Sequence, residues 1–118
     1  MSTIHKVVTG ISALAANGDV DKTVIIAQGA GTKLRLVTVV ITVNVIASGT
    51  NGVAALEDGA GGTRLLEVNA GTLGTTVVQY GDEGPVLSAD TLLNLTVDTA
   101  ATTQASAKAS AVCKVLGA

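Results

Sequence analysis

The acidic side chains are the residues in this sequence that could most readily do chemistry together. Eight of the nine occur as the adjacent pairs Glu57-Asp58 and Asp82-Glu83 and as single residues at Asp19, Asp21, Asp90 and Asp98. Loop carboxylates that meet in space can bind calcium, and two carboxylates across a cleft can hydrolyse a glycosidic bond. However, the spacing of an EF-hand is absent, and Tyr80 is the only aromatic residue that could serve a sugar site. We therefore expect these acids to lie in solvated turns.

His5 and Cys113 are the other side chains that could act as a base, a nucleophile or a metal ligand. The only histidine, His5, lies near the N-terminus with no partner group beside it, and we expect it to be solvated. Cys113 is the only cysteine, so no internal disulfide can form. It falls on the apolar side of an alternating segment, which predicts a small core residue. No catalytic or metal-ligating residue is assigned.

Two glycine-rich stretches, GAGTK at 29–33 and GAGGTR at 59–64, each end in a basic residue. A phosphate-binding P-loop requires the pattern G-x-x-x-x-G-K-[ST] between a strand and a helix. Neither stretch matches this pattern, so we predict that both are hairpin loops and that no cofactor is bound. An enzyme needs a constellation of polar residues in a pocket, and none is recognisable in this sequence, so we predict a protein that is not an enzyme.

The composition limits the class of protein further. The chain has 118 residues, the size of one domain, and it contains no Phe, no Trp and one Tyr. Val, Ile, Leu and Ala must form a thin core, so we expect additional burial against a neighbouring subunit. Basic residues are scattered singly and the net charge is −2, which argues against binding to nucleic acid or a membrane. The N-terminus lacks an apolar signal region, which predicts a soluble product made in a cytoplasm.

The most apolar segment, GTKLRLVTVVITVNVIASG at 31–49, is too short and too often interrupted by polar residues for a membrane helix. Its β-branched residues predict one strand of about fifteen residues. Leu34 and Leu36 occupy even positions, whereas Val39 and Ile41 occupy odd ones. Because side chains alternate between the faces of a strand, the apolar face must switch near Leu36–Val37, through a bulge or a bend.

The remaining segments are also predicted to form strands. We predict strands over about 20–28, 91–97 and 104–116, a hairpin formed by VAALED and TRLLEV, and a strand at TTVVQY. Residues 1–18 are either an N-terminal arm or a first strand, and 19–118 form one domain. The predicted fold is an all-β, single-domain antiparallel β-sandwich, jelly-roll-like, with about eight strands.

Four segments carry a resemblance to a known family: GTKLRLVTVVITV, GGTRLLEV, GTTVVQYGDEGPVLSADTLLNLTV and SAKASAVCKVL. Together they resemble small phage structural proteins, namely capsid decoration (cement) proteins and related head-fibre modules, from about Thr23 to the C-terminus. The resemblance implies a virion protein on the outer surface of the capsid, made in the host cytoplasm. It also implies the major capsid protein of the same virus as a partner, and self-association as a homotrimer.

The resemblance supplies no functional residue. From the residues we expect the segment from Met1 to about Gly18 to contact the capsid or a neighbouring subunit, unless it is an ordinary first strand. The alternative function is a phage fibre or spike module that binds a host receptor or a glycan. Such a module would need a groove with aromatic or charged anchors, and this sequence offers few.

Overall fold

The structure is a computed structural model that describes residues 6–14, 21–45, 53–69, 73–98 and 106–117. These ranges form eight strands: β1 Lys6–Leu14, β2 Asp21–Ile25, β3 Lys33–Val45, β4 Val53–Asp58, β5 Arg64–Asn69, β6 Gly74–Gln79, β7 Leu93–Asp98 and β8 Ser106–Leu116. Within them, no helix has the length and hydropathy needed to cross a bilayer.

The strands form two four-stranded antiparallel sheets that pack face to face. Sheet 1 has the order β1-β8-β3-β6, and sheet 2 has the order β2-β7-β4-β5. When one long antiparallel hairpin folds over into two layers, the first strand pairs with the last, the second with the last but one, and so on. The observed pairs follow this pattern: β1/β8, β2/β7, β3/β6 and β4/β5. This is the strand order of a jelly roll, so the predicted antiparallel jelly-roll-like β-sandwich is confirmed.

Aliphatic side chains from both sheets fill the space between them. The largest fully buried members include Leu34, Leu36, Ile41, Leu56, Leu87, Leu93 and Leu95. On β8 the inward positions are Ala107, Ala109 and Ala111, followed by Cys113. These small side chains leave room for the leucines of the opposite sheet, so the two sheets pack closely although the core contains no Phe or Trp. The alternating alanine face is confirmed for β8; Ala105 lies outside the described residues.

The switch of apolar face within β3 is also confirmed. Leu34 and Leu36 point into the core before the switch, and Val39 and Ile41 do so after it. The pairing of β3 with β8 shifts register between Leu36 and Thr38, as in a β-bulge. The bulged residue, Val37, accepts a hydrogen bond from the backbone N–H of Tyr80 at 2.8 Å.

The two glycine-rich loops differ from each other. Gly59–Thr63 connects β4 to β5 as the predicted hairpin, closed by the Asp58 N–H donating to the Thr63 carbonyl at 2.9 Å. The predicted hairpin at Gly29–Thr32 is wrong, because β2 belongs to sheet 2 and β3 to sheet 1. That loop crosses between the sheets, and glycine alone does not distinguish a hairpin from such a crossing.

The N-terminal segment contributes an edge strand. Residues Lys6–Leu14 pair with β8 along their whole length of nine residues. The other residues of 1–18, including His5, lie outside the described residues. The strand predicted over 20–28 is shorter, ending at Ile25.

Candidate docking surface

The outward face of sheet 1 is the candidate functional site. Strand register sets its side chains in cross-strand rows. One central row contains Ile11, Ser110, Val40 and Val77, and the next contains Thr9, Val112, Thr38 and Gln79. We call these two rows, with the basic residues that border them, the docking surface.

The centre of the docking surface exposes aliphatic side chains, interspersed with hydroxyl-bearing ones, although it faces away from the core; we call it the apolar centre. Ile11 is 61% exposed and Val77 is 55% exposed, while Val40 and Val112 are half-buried. An antiparallel sheet with one solvated face usually presents polar residues on that face. A contiguous exposed apolar patch is instead typical of a surface that binds another molecule.

An open depression of about 410 Å³ lies within this centre. Its lining is contributed by three adjacent strands and consists of Thr9, Gly10, Ile11, Thr38, Val40, Ser110, Ala111 and Val112. The lining offers methyl groups and three hydroxyls but no titratable side chain. This composition suits the reception of an apolar side chain from a partner better than acid–base chemistry.

Basic residues border the apolar centre. Lys114 and Arg35 pair across the strands in the row beyond Thr9 and Val112, and Lys108 lies in the row beyond Ile11 and Ser110. The ammonium group of Lys114 donates a hydrogen bond to Asp82 in the β6–β7 connection. This hydrogen bond, together with the charge of Lys114, holds the pKa of the Asp82 carboxyl below its usual value.

Two of the acids considered in the sequence meet on sheet 2, on the face away from the core. The Asn94 side-chain amide donates to Asp21 Oδ1 at 2.9 Å and to Glu57 Oε1 at 3.0 Å. The backbone N–H of Gly61 also donates to Glu57 Oε1, at 3.2 Å. Glu57 and Asn94 are buried, so the expectation of a solvated turn is wrong for Glu57. Because the Asn94 amide bridges the two carboxylates, these hydrogen bonds form a structural network.

Asp58 and Asp90 each accept hydrogen bonds that connect separate loops of the sandwich. Asp58 accepts hydrogen bonds from the backbone N–H and the hydroxyl of Ser88, and Asp90 Oδ1 accepts one from the Gly29 N–H at 3.2 Å. Asp19 lies outside the described residues. Within the described ranges, no three His, Cys, Asp or Glu residues lie close enough together to hold a metal ion.

Cys113 is a core residue, as predicted. Its side chain is fully buried, and this burial raises the pKa of the thiol to about 12. A thiol with such a pKa is protonated at neutral pH and is a poor nucleophile. Partial burial likewise raises the pKa of Tyr80, which packs against the core.

No known protein family model and no curated protein matches this sequence. The fold and the surface therefore define the class of protein by themselves: a jelly-roll β-sandwich with one apolar, basic-bordered sheet face.

Sequence reasoning did not identify the docking surface. Its strands come from distant parts of the chain, and only the fold places β1, β8, β3 and β6 side by side. One signal was available: the segments that become these strands contain no Asp or Glu.

Proposed function

We propose that this chain is a structural virion protein that binds the outer surface of an assembled phage capsid and stabilises it, as decoration proteins do. The observation that carries the proposal is the docking surface, where Ile11 and Val77 are exposed on the outward face of sheet 1, on its two edge strands. The resemblance of the sequence to phage structural proteins supplies the partner, the major capsid protein.

Binding through this surface would stabilise a capsid by mass action. A protein that binds the assembled shell, but not its separated subunits, lowers the free energy of the shell by RT ln(1 + [L]/Kd). Burying an exposed valine or isoleucine contributes about 1–3 kcal/mol before the costs of association are subtracted. Several such side chains on a flat sheet can therefore support binding without a deep pocket.

Self-association as a homotrimer is part of the proposal. The core lacks Phe and Trp, and additional burial between copies would compensate for the missing aromatic area. Sedimentation equilibrium of the purified protein measures its native mass directly. We expect three times the mass of one chain, and a monomer over the whole concentration range would contradict the trimer.

The capsid experiment uses undecorated shells of the virus whose genome encodes this chain. We expect the wild-type protein to co-sediment with the shells, and the double variant Ile11→Ser/Val77→Ser to bind at least about tenfold more weakly. Both positions are exposed, so the fold should tolerate the change. Ile26→Ser is the matched control, because Ile26 is 69% exposed but lies outside the docking surface.

The outcomes separate the function from the site. If the wild-type protein fails to bind shells, the proposed function is wrong. If the double variant binds as well as the wild type, the function stands but the docking surface is elsewhere. Point variants are preferable to deletion of residues 1–18, since deletion would remove the nine-residue edge strand β1 and expose β8.

A further inference from the structure

The two sheets carry opposite charge. In the strands of sheet 1, the charged residues are all basic: Lys6, Lys33, Arg35, Lys108 and Lys114. In the strands of sheet 2, most are acidic: Asp21, Lys22, Glu57, Asp58, Arg64, Glu67 and Asp98. Because the whole chain has a formal net charge of −2, the basic character of sheet 1 is a local property of that sheet.

Four of these basic residues border the apolar centre, on two opposite sides, whereas Lys6 pairs with the buried Val115 and lies on the other face of the sheet. Lys108 pairs with Ala13 and Thr42, one row beyond Ile11. On the other side Lys114 pairs with Arg35, and Lys33 lies one row further out. An apolar centre with a polar border is the usual anatomy of a protein–protein interface. Here the border within the strands carries charge of one sign only.

We infer that the docking surface recognises an acidic protein surface, with an apolar centre bordered by carboxylates, on the assembled capsid. This inference rests on the proposed function and adds the chemistry of the partner's site. Opposite charges at the border of an interface accelerate encounter and exclude partners of the wrong charge. The apolar centre then supplies the burial that holds the complex together.

The chain itself shows how a carboxylate binds at this border. Lys114 forms an ion pair with Asp82, whose side chain is 81% exposed and comes from the β6–β7 connection. The lysine is therefore already oriented towards a carboxylate at the edge of the docking surface. A carboxylate of the partner would compete with Asp82 for Lys114, so Asp82 weakens binding.

A second copy of this chain is a poorer occupant of the same surface. Two copies stacked by their docking surfaces would bring Lys108 and Lys114 of one copy near the same basic residues of the other, which is repulsive. The acidic strands lie on the opposite side of the sandwich. Stacking sheet 1 of one copy on sheet 2 of the next would repeat without closing into a ring.

Nucleic acid is also a poorer occupant. Phosphate binding depends on several clustered cations, whereas the central row of this surface contains Ile11, Val40 and Val77 and no cation. The aliphatic side chains of the apolar centre would make no favourable interaction with a phosphate backbone. The observations therefore favour a protein partner with an apolar patch of its own.

The test measures binding of the full chain to undecorated capsids at several ionic strengths. We expect Lys108→Glu and Lys114→Glu each to weaken binding about tenfold, and rising salt to weaken binding of the wild type. Asp82→Asn should tighten binding several-fold. Lys22→Glu is the matched control, because it changes the net charge equally but lies on sheet 2; it should bind like the wild type.

Each outcome decides between the alternatives. Wild-type binding that neither reversal weakens overturns the inference and leaves the proposed function standing. No binding of the wild type at any ionic strength overturns both. Equal weakening by Lys22→Glu would show an effect of net charge only, and would overturn recognition by the docking surface. Salt-sensitive binding to a DNA duplex, or self-association lost in Lys108→Glu, would assign the surface to those occupants instead.

Discussion

Gly10 of β1 lies directly against the backbone of Val24, next to β2's Ile25. A Cβ atom placed on Gly10 would stand 1.9 Å from the Val24 carbonyl oxygen and 2.8 Å from a side-chain carbon of Ile25. This contact joins the edge of sheet 1 to the edge of sheet 2. It also sets the position of β1, whose neighbouring residues Thr9 and Ile11 belong to the docking surface.

We expect Gly10→Ala to lower the free energy of unfolding by about 3 kcal/mol, because the added methyl group must displace backbone rather than a flexible side chain. Urea denaturation measures this change. Gly117→Ala is the control, since a Cβ at Gly117 has no neighbour within 4 Å. Wild-type stability in Gly10→Ala would show that the two sheet edges are not in this close contact.

The amide of Asn94 is the shared donor for two carboxylates on sheet 2. We expect Asn94→Ala to lower the free energy of unfolding by about 2–3 kcal/mol, because the buried oxygen of Glu57 loses a donor and Asp21 loses its bond to β7. Thermal or urea unfolding at pH 7 provides the measurement.

A double-mutant cycle separates this electrostatic cost from simple loss of packing. In a Glu57→Gln background the acceptor is neutral, so Asn94→Ala should cost about 1 kcal/mol less than it does in the wild type. Equal losses in the two backgrounds would mean that the amide does not stabilise the carboxylate of Glu57.

Hydrogen bonds between Asp58 and Ser88 connect the end of β4 to the β6–β7 connection. The carboxylate accepts from the Ser88 N–H at 3.0 and 3.1 Å and from its hydroxyl at 2.8 Å. Asp58→Ala removes all of these bonds and should cost about 2 kcal/mol, whereas Ser88→Ala removes only the hydroxyl bond and should cost about 1 kcal/mol. Denaturation of both variants measures the difference, and the reverse order would contradict the assignment.

The buried thiol of Cys113 predicts a dependence of stability on alkaline pH. Folding raises the pKa of this thiol from 9.0 to about 12. The contribution of the buried, protonated thiol to the free energy of unfolding is therefore fully present below pH 9 and is lost as pH rises towards 12. The loss is at most about 1.4 kcal/mol per pH unit. We expect the difference in stability between the wild type and Cys113→Ala to shrink over this range.

Alkylation tests the same burial independently. Iodoacetamide should modify Cys113 slowly in the native protein and rapidly in urea, because the native thiol is both covered and protonated. Rapid modification under native conditions would place Cys113 at the surface, contrary to its burial in the core.

Alternation along single strands made several local features predictable. The change from Leu34 and Leu36 to Val39 and Ile41 indicated a switch of face in β3, by a bulge or a bend, and the structure shows a bulge. The alternating alanines of β8 indicated an inward face that includes Cys113. These features follow from the two-residue period of an extended chain, which depends only on neighbouring residues. The hairpin between β4 and β5 was predictable for the same reason, since its glycine loop joins adjacent segments.

The sequence by itself therefore determined the fold class, the composition of the core and most strand positions. The tertiary structure alone decided which strands are neighbours, and with that the rows of the docking surface and the loop at Gly29–Thr32. It also brought Asn94 to Asp21 and Glu57, which lie 73 and 37 residues away along the chain. The physical reason is that alternation is a local steric property, whereas strand order and register depend on burial summed over the whole sandwich.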